Sequence, residues 1–219
     1  QAQTGTGKTA AFGLPLIELL DEKSGYPQAL ILVPTRELAQ QVSQEIISYK
    51  GDKKLFIATI YGGTSIVAQF KDLKKGCEIV VGTPGRIIDH IERGTLKLDR
   101  ISHLILDEAD EMLNMGFIED IELVISKMPK ERRMLLFSAT MPREILGIAK
   151  RHMGKYDEIQ IAPQHSTAEL VDQYYLDVSD RDKKEALSRL IDIEQDFYGL
   201  VFCMTKIQTD EVAQWLIEH

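Results

Sequence analysis

The 219-residue chain predicts an α/β fold: a mostly parallel sheet with helices on both faces. Three observations carry this. Short, wholly apolar runs such as Ala29-Leu30-Ile31-Leu32-Val33, closed by Pro or Gly, read as strands buried on both faces. Between them lie segments with apolar residues every three or four positions, the period of a half-buried helix. The two kinds alternate along the chain, which calls for crossover connections and hence parallel strands.

In order, the first element is a Gly-rich loop, Ala2-Gln3-Thr4-Gly5-Thr6-Gly7-Lys8-Thr9, opening a helix near Lys8. Gly13 and Pro15 are poor helix formers, and Pro15 crowds the Ala11 carbonyl, so a kink or an early stop is expected. The run at 29–33 stops at Pro34, and Leu38, Val42 and Ile46 share one face of the next helix. A strand at 55–60 ends in Gly62-Gly63. Ser65 is placed to cap a helix carrying Ile66, Phe70 and Leu73. A strand at 78–81 ends in Gly82, and a short helix at 87–91 follows Pro84-Gly85. The run at 103–106 enters Asp107; a helix at 118–127 and a strand at 134–137 come next. Pro142 suits the first turn of a helix to about 151, and 158–161 is a last, shorter strand.

The composition shifts near residue 164. Residues 1–164 hold 21 Lys/Arg and 22 Asp/Glu, a net of −1, whereas 165–219 hold 5 and 12, a net of −7. The reading is a first domain over 1–162, a polar linker at 163–170, and the start of a second β-α-β-α unit over 171–219. That second unit has strands at 171–178 and 200–203 and helices at 182–193 and through Trp215. Two strands cannot bury both faces of a sheet, so this piece is expected to be truncated or dependent on the first domain. Tyr198 and Phe202 flank its apolar strand and are expected in its core.

The total charge of −8 argues against a protein coated in basic surface; a nucleic acid would need a local groove. No apolar run approaches the ~20 residues that cross a bilayer, and no signal peptide is visible, although the chain begins at Gln1 and its natural start is open. Cys77 and Cys203 read as buried, reduced thiols, consistent with a cytoplasmic protein.

Two motifs carry chemistry. In the loop, Gly5 and Gly7 let backbone N–H groups turn toward a phosphate, and the helix start adds its positive dipole end. Lys8 can reach the β/γ-phosphates, and the Thr9 hydroxyl can ligate Mg²⁺. In Asp107-Glu108-Ala109-Asp110, a buried strand delivers two carboxylates to its carboxyl end, where α/β folds bind ligands. One carboxylate can hold the metal and its neighbour can activate water. Each motif alone has a blander reading, a surface turn or a solvated acidic pair. Both, in this order, point to nucleotide hydrolysis.

These motifs, with Pro34-Thr35-Arg36-Glu37-Leu38-Ala39, Gly62-Gly63, Thr83-Pro84-Gly85-Arg86, Ser138-Ala139-Thr140 and Leu200-Val201-Phe202-Cys203, resemble the ordered set of DEAD-box ATP-dependent RNA helicases of superfamily 2. Ala2, off pattern for a general phosphate loop, fits that family's loop. Leu113-Asn114-Met115-Gly116-Phe117 and Met141-Pro142 are most similar to members akin to translation initiation factor 4A and its archaeal and bacterial single-core relatives. The resemblance implies a RecA-like first domain, ATP and Mg²⁺ as cofactors, and sequence-nonspecific RNA as partner. It implies Asp107 as the metal residue, Glu108 as base or water-positioner, and Asp110 coupling to Ser138 and Thr140. RNA contacts are expected from Pro34, Thr35, Arg36, Gly63, Thr83, Pro84, Gly85 and Arg86, through backbone phosphates. A monomer without membrane attachment is expected, with accessory protein factors open. The adenine-recognition segment, the strand feeding the loop and the second domain's arginine finger are expected to be missing. The chain alone is therefore expected to show little RNA-stimulated turnover. Rival readings are a DNA translocase or remodelling ATPase of the same superfamily, and a non-enzymatic nucleotide- or RNA-binding fragment.

Overall fold

The computed structural model describes residues 1–2, 5–161, 172, 174–193 and 196–218. It divides into two compact units, 1–164 and 165–219. In the first, five strands form one parallel sheet: β1 (Ala29–Leu32), β2 (Ile57–Ile60), β3 (Ile79–Gly82), β4 (His103–Leu106) and β5 (Arg133–Leu136), in the order β2-β3-β1-β4-β5. The register is regular, with Ala29 opposite both Ile79 and His103, and Leu32 opposite both Gly82 and Leu106.

Burial follows position in the sheet. β1 and β3 are buried at every residue, whereas β2 and β5 lie at the edges and are not. Side chains alternate faces along a strand, so two apolar cores form. Leu30, Leu32, Val80, Leu104 and Leu106 join Ile87, Met112, Ile121 and Ile148 on one side. Ala29, Ile31, Val33, Ile79, Val81 and Ile105 join Phe12, Leu16, Val42 and Ile46 on the other.

The helices are α1 (Lys8–Leu19), α2 (Arg36–Tyr49), α3 (Ile66–Lys75), α4 (Pro84–Glu92), α5 (Ala109–Asn114), α6 (Ile118–Ser126) and α7 (Arg143–His152). Pro15 does not stop α1, which runs four residues further to Leu19, because Phe12, Leu16 and Ile17 are locked in the core around it. α5 was not foreseen: at six residues it is too short to show a period.

The expected strand at 158–161 is not a strand. Its backbone instead meets Gln1: the Gln1 amine donates to the Ile159 carbonyl, and Ile161 N donates to the Gln1 carbonyl at 3.0 Å. On its other side Gln1 is followed by Ala2, whose N donates to the Ser138 carbonyl at 3.0 Å, just past β5. Gln1 thus stands between β5's line and 159–161. Below it runs a groove of about 510 Å³ lined by Met134, Leu136, Leu146, Met153, Tyr156 and Ile159. The outer edge of β5 has no strand partner among the described residues.

In the second unit the described residues form α8 (Lys183–Ile193) and α9 (Lys206–Glu218), neither with a buried residue. The expected linker at 163–170 lies outside the described residues, as do Val171 and Gln173 of the expected strand. Residues 174–178 and 200–203 are not strands. Tyr198 and Phe202, expected in a core, are exposed, as are Tyr174 and Tyr175. An extended segment becomes a strand only when a neighbour completes its hydrogen bonds, and none is present here among the described residues.

Candidate functional site

All five strands are parallel, so their carboxyl ends share one rim, and the sequence puts its polar motifs there. β1 leads into Pro34-Thr35-Arg36, β2 into Gly62-Gly63, β3 into Thr83, β4 into Asp107 and β5 into Ser138. This is the ligand-binding edge of an open α/β sheet.

Gly5 and Gly7 adopt φ of 82° and 81°, a left-handed conformation natural only to glycine. They turn the chain so that α1 starts at Lys8 with no side-chain cap. Its first N–H groups are therefore available to an anion. Gln3 and Thr4 lie outside the described residues. Lys8 is buried, and its Nζ has no hydrogen-bond partner among the described residues; Asp107 Oδ1 lies 3.8 Å away. A buried ammonium lacking hydrogen bonds is costly unless a ligand supplies acceptors.

Asp107 is 2% exposed. Burial pushes its carboxyl up to about 6, Lys8 pulls it back in part, and Glu108 pushes it further up. Its Oδ1 accepts from Glu108 N at 3.0 Å. Glu108 sits at φ 53°, ψ 51°, a strained left-handed turn between β4 and α5 for a non-glycine residue. Strain there turns the chain sharply, so that Ala109 N donates to the Phe137 carbonyl at 3.1 Å and Ala109 packs fully buried.

Asp110, on α5, joins the loop after β5. Its N donates to Ser138 Oγ at 3.1 Å, and Thr140 N and Oγ1 both donate to its Oδ2 at 2.8 Å. These bonds outweigh burial and hold its carboxyl below the usual value. The same loop carries the Ala2 contact, so residues 138–140 link the phosphate loop to the acidic motif. Phe12 and Phe137 pack beneath, ring centroids 5.3 Å apart.

Fit to a nucleotide and Mg²⁺ can be judged from these features. The unpartnered ammonium and uncapped helix start suit phosphate oxygens, and Asp107 suits a cation. No cluster of three or more His, Cys, Asp or Glu able to hold a metal exists among the described residues.

The other loops gather a few residues away along the rim. Arg36 is exposed, paired with Glu37, and its guanidinium flanks Gly63. Arg86 donates to the Thr64 carbonyl at 3.2 Å and lies 3.7 Å from Asp89, leaving its side chain only 16% exposed. Thr35 Oγ1 caps α2 by accepting from Leu38 N at 3.2 Å. Thr83 makes no such cap bond, and Gly85 is exposed. Pro34 and Pro84 are buried in the turns that carry Arg36 and Arg86. Sequence reasoning missed Gln69 and His90, polar residues buried beneath this rim. Helical period assigned neither to a core, since both are polar.

Both cysteines are free; Cys77 is buried, with its thiol pushed up to about 12, while Cys203 is half-buried rather than buried. Among the described residues no helix is long and apolar enough to cross a membrane.

The family pattern described as DEAD/DEAH box helicase matches residues 1–148. The chain is 55% identical over 216 residues to a probable ATP-dependent RNA helicase of Methanocaldococcus jannaschii, covering 99% of this chain and 57% of that protein. It is 52% identical over 216 residues to the ATP-dependent RNA helicase CshA of Listeria monocytogenes, covering 99% and 42%. Its structure is similar to the crystal structure of a DEAD box protein from the hyperthermophile Methanococcus jannaschii, with a TM-score of 0.72, 54% identity, and coverage of 100% and 58%. The chain spans about half the length of the curated relatives it matches.

Proposed function

This chain belongs to the DEAD/DEAH box helicase family, and from that premise we propose that it is the ATP-binding part of an ATP-dependent RNA helicase. The observation that carries the reading is the buried Lys8 ammonium, without a hydrogen-bond partner among the described residues, between an uncapped helix start and Asp107. The relatives' names, ATP-dependent RNA helicases at about half identity, favour RNA over the DNA-translocase reading.

Bound ATP with Mg²⁺ would supply the transferable phosphoryl group and the charge that holds it in place. Lys8 neutralises phosphate charge, and the N–H groups of Gly5, Gly7 and the first turn of α1 orient the oxygens. Thr9 and Asp107 would hold the metal. Glu108, raised on its strained turn, accepts a proton from the attacking water. Asp110, through Ser138 and Thr140, couples this chemistry to RNA engagement. Arg36, Gly63, Thr83, Gly85 and Arg86 face single-stranded RNA, reading its backbone and not its bases. A monomeric, cytoplasmic protein, with accessory factors as further partners, goes with this reading.

The test is binding of a fluorescent ATP analogue, with and without Mg²⁺. Binding is expected to be lost in Lys8→Ala and kept in Glu108→Gln. In a polypeptide of the relatives' full length, both substitutions are expected to abolish RNA-stimulated phosphate release. Failure of the unmodified chain to bind nucleotide would overturn the reading.

A further inference from the structure

Beneath the rim lies a buried polar cluster that nucleotide chemistry does not use. Gln69, on α3, is 6% exposed, and His90, on α4, is fully buried. Every hydrogen-bonding atom of the Gln69 amide is placed. Nε2 donates to the Tyr61 carbonyl at 2.9 Å and to Thr64 Oγ1 at 2.8 Å. Oε1 faces His90 Nε2 at 3.1 Å and Arg86 Nη1 at 3.5 Å. His90 Nδ1 lies 2.9 Å from Thr95 Oγ1, and the Phe70 ring meets the imidazole edge-on at 5.1 Å.

Gln69 Oε1 only accepts, so His90 Nε2 carries the hydrogen; Thr95 Oγ1 lies 2.9 Å from Nδ1 and also reaches the His90 carbonyl at 3.0 Å. Burial, then the nearby Arg86 charge, hold His90 below its usual value. A flipped amide would set its oxygen against the Tyr61 carbonyl and its NH₂ against the Arg86 guanidinium, which fixes the orientation.

The loop after β2 and the turn after β3 are thus tied to one side chain. We propose that Gln69 is a positioning residue for RNA: its amide clamps the 61–64 loop to Arg86, so that two phosphate-facing loops are held in one arrangement before RNA arrives. This rests on the RNA reading above. Loops ordered in advance lose less freedom on binding, which strengthens it without any contact from Gln69 itself.

The experiment measures binding of fluorescein-labelled oligouridylate to the 219-residue chain at low salt, for the unmodified protein, Gln69→Met, Arg86→Ala and both. Affinity for Mg²⁺-ATP and urea stability are read on the same samples. Gln69→Met keeps the side chain's length and is expected to weaken RNA about fivefold, the worth of one hydrogen bond. Affinity for Mg²⁺-ATP is expected to be unchanged. In the Arg86→Ala background the same change is expected to cost less than about twofold, because its effect passes through Arg86. If Gln69→Met fails to fold, Thr64→Val, at an exposed position, removes one bond of the clamp and is expected to weaken RNA about threefold. Unchanged RNA affinity in Gln69→Met, or effects that simply multiply in the double variant, would overturn the clamp and leave the RNA reading standing. No RNA binding by the unmodified chain would overturn both.

Discussion

Replacing Gly82 with alanine tests how tightly the rim is built. Gly82 ends β3 between β1 and β2. A Cβ there would sit 2.4 Å from the Ile60 carbonyl oxygen and 2.8 Å from Ile87 Cδ1. Ordinary C···O contacts begin near ~3.3 Å, so the overlap with the oxygen is about 0.9 Å. Ile87 can change rotamer. The Ile60 oxygen cannot, since it accepts from Thr83 N at 3.0 Å and belongs to the adjacent strand. Relief requires β2 to move relative to β3. Overpacking costs about 1–3 kcal/mol, and a backbone obstacle places this change at the upper end. At about 2–4 °C per kcal/mol for a unit of this size, the melting temperature is expected to fall by roughly 5–10 °C. Circular dichroism on thermal unfolding reads the shift. Gly85→Ala is the control: a Cβ there meets no atom within 4 Å, and its stability is expected to be unchanged or slightly higher. A Gly82→Ala protein melting within about 1 °C of the parent would refute the reasoning, because it would mean that the strands separate freely.

Three further outcomes are expected. Burial holds Asp107 at about 6 against an ordinary 3.8, so it contributes stability below pH 3.8 that is lost as pH rises through about 6. Without nucleotide or metal, Asp107→Asn is expected to gain on the parent between pH 4 and pH 7 by at most about 3 kcal/mol, and a flat difference in urea unfolding across that range would contradict it. Arg86→Ala is expected to weaken RNA about equally across sequences and to lower the salt slope by about one unit; an effect on one base identity only would contradict backbone contact. Ser138→Ala removes a buried acceptor for Asp110 N and is expected to destabilise by about 1–3 kcal/mol, read by urea unfolding; an unchanged midpoint would show that the bond adds nothing.

Much of this was legible in the sequence, for reasons that can be named. Ile79, Val80 and Val81 read as a doubly buried strand because a continuous apolar run has no other stable place. The rim followed once strands were known to be parallel, because polar residues after each strand must then converge. Pairing was less visible. The segments at 158–161, 174–178 and 200–203 have strand-like composition, but a ladder needs a neighbour, and composition does not say whether one is present. Gln69 and His90 were hidden because one sequence cannot show two polar side chains satisfying each other across α3 and α4. At Pro15 local propensity allowed an early stop, and the packing of Phe12, Leu16 and Ile17 carries α1 on to Leu19.

The groove beside β5 also bears on how the chain behaves in concentrated solution. Arg133 N and Phe137 N bond inward to β4's line, so alternation turns the backbone groups of Met134 and Leu136 outward, into an apolar channel. An edge without a strand partner among the described residues is a template that an extended chain can join. Crowding would therefore favour self-association in which the first strand to dock seeds the next. Light scattering of this chain is expected to rise with concentration.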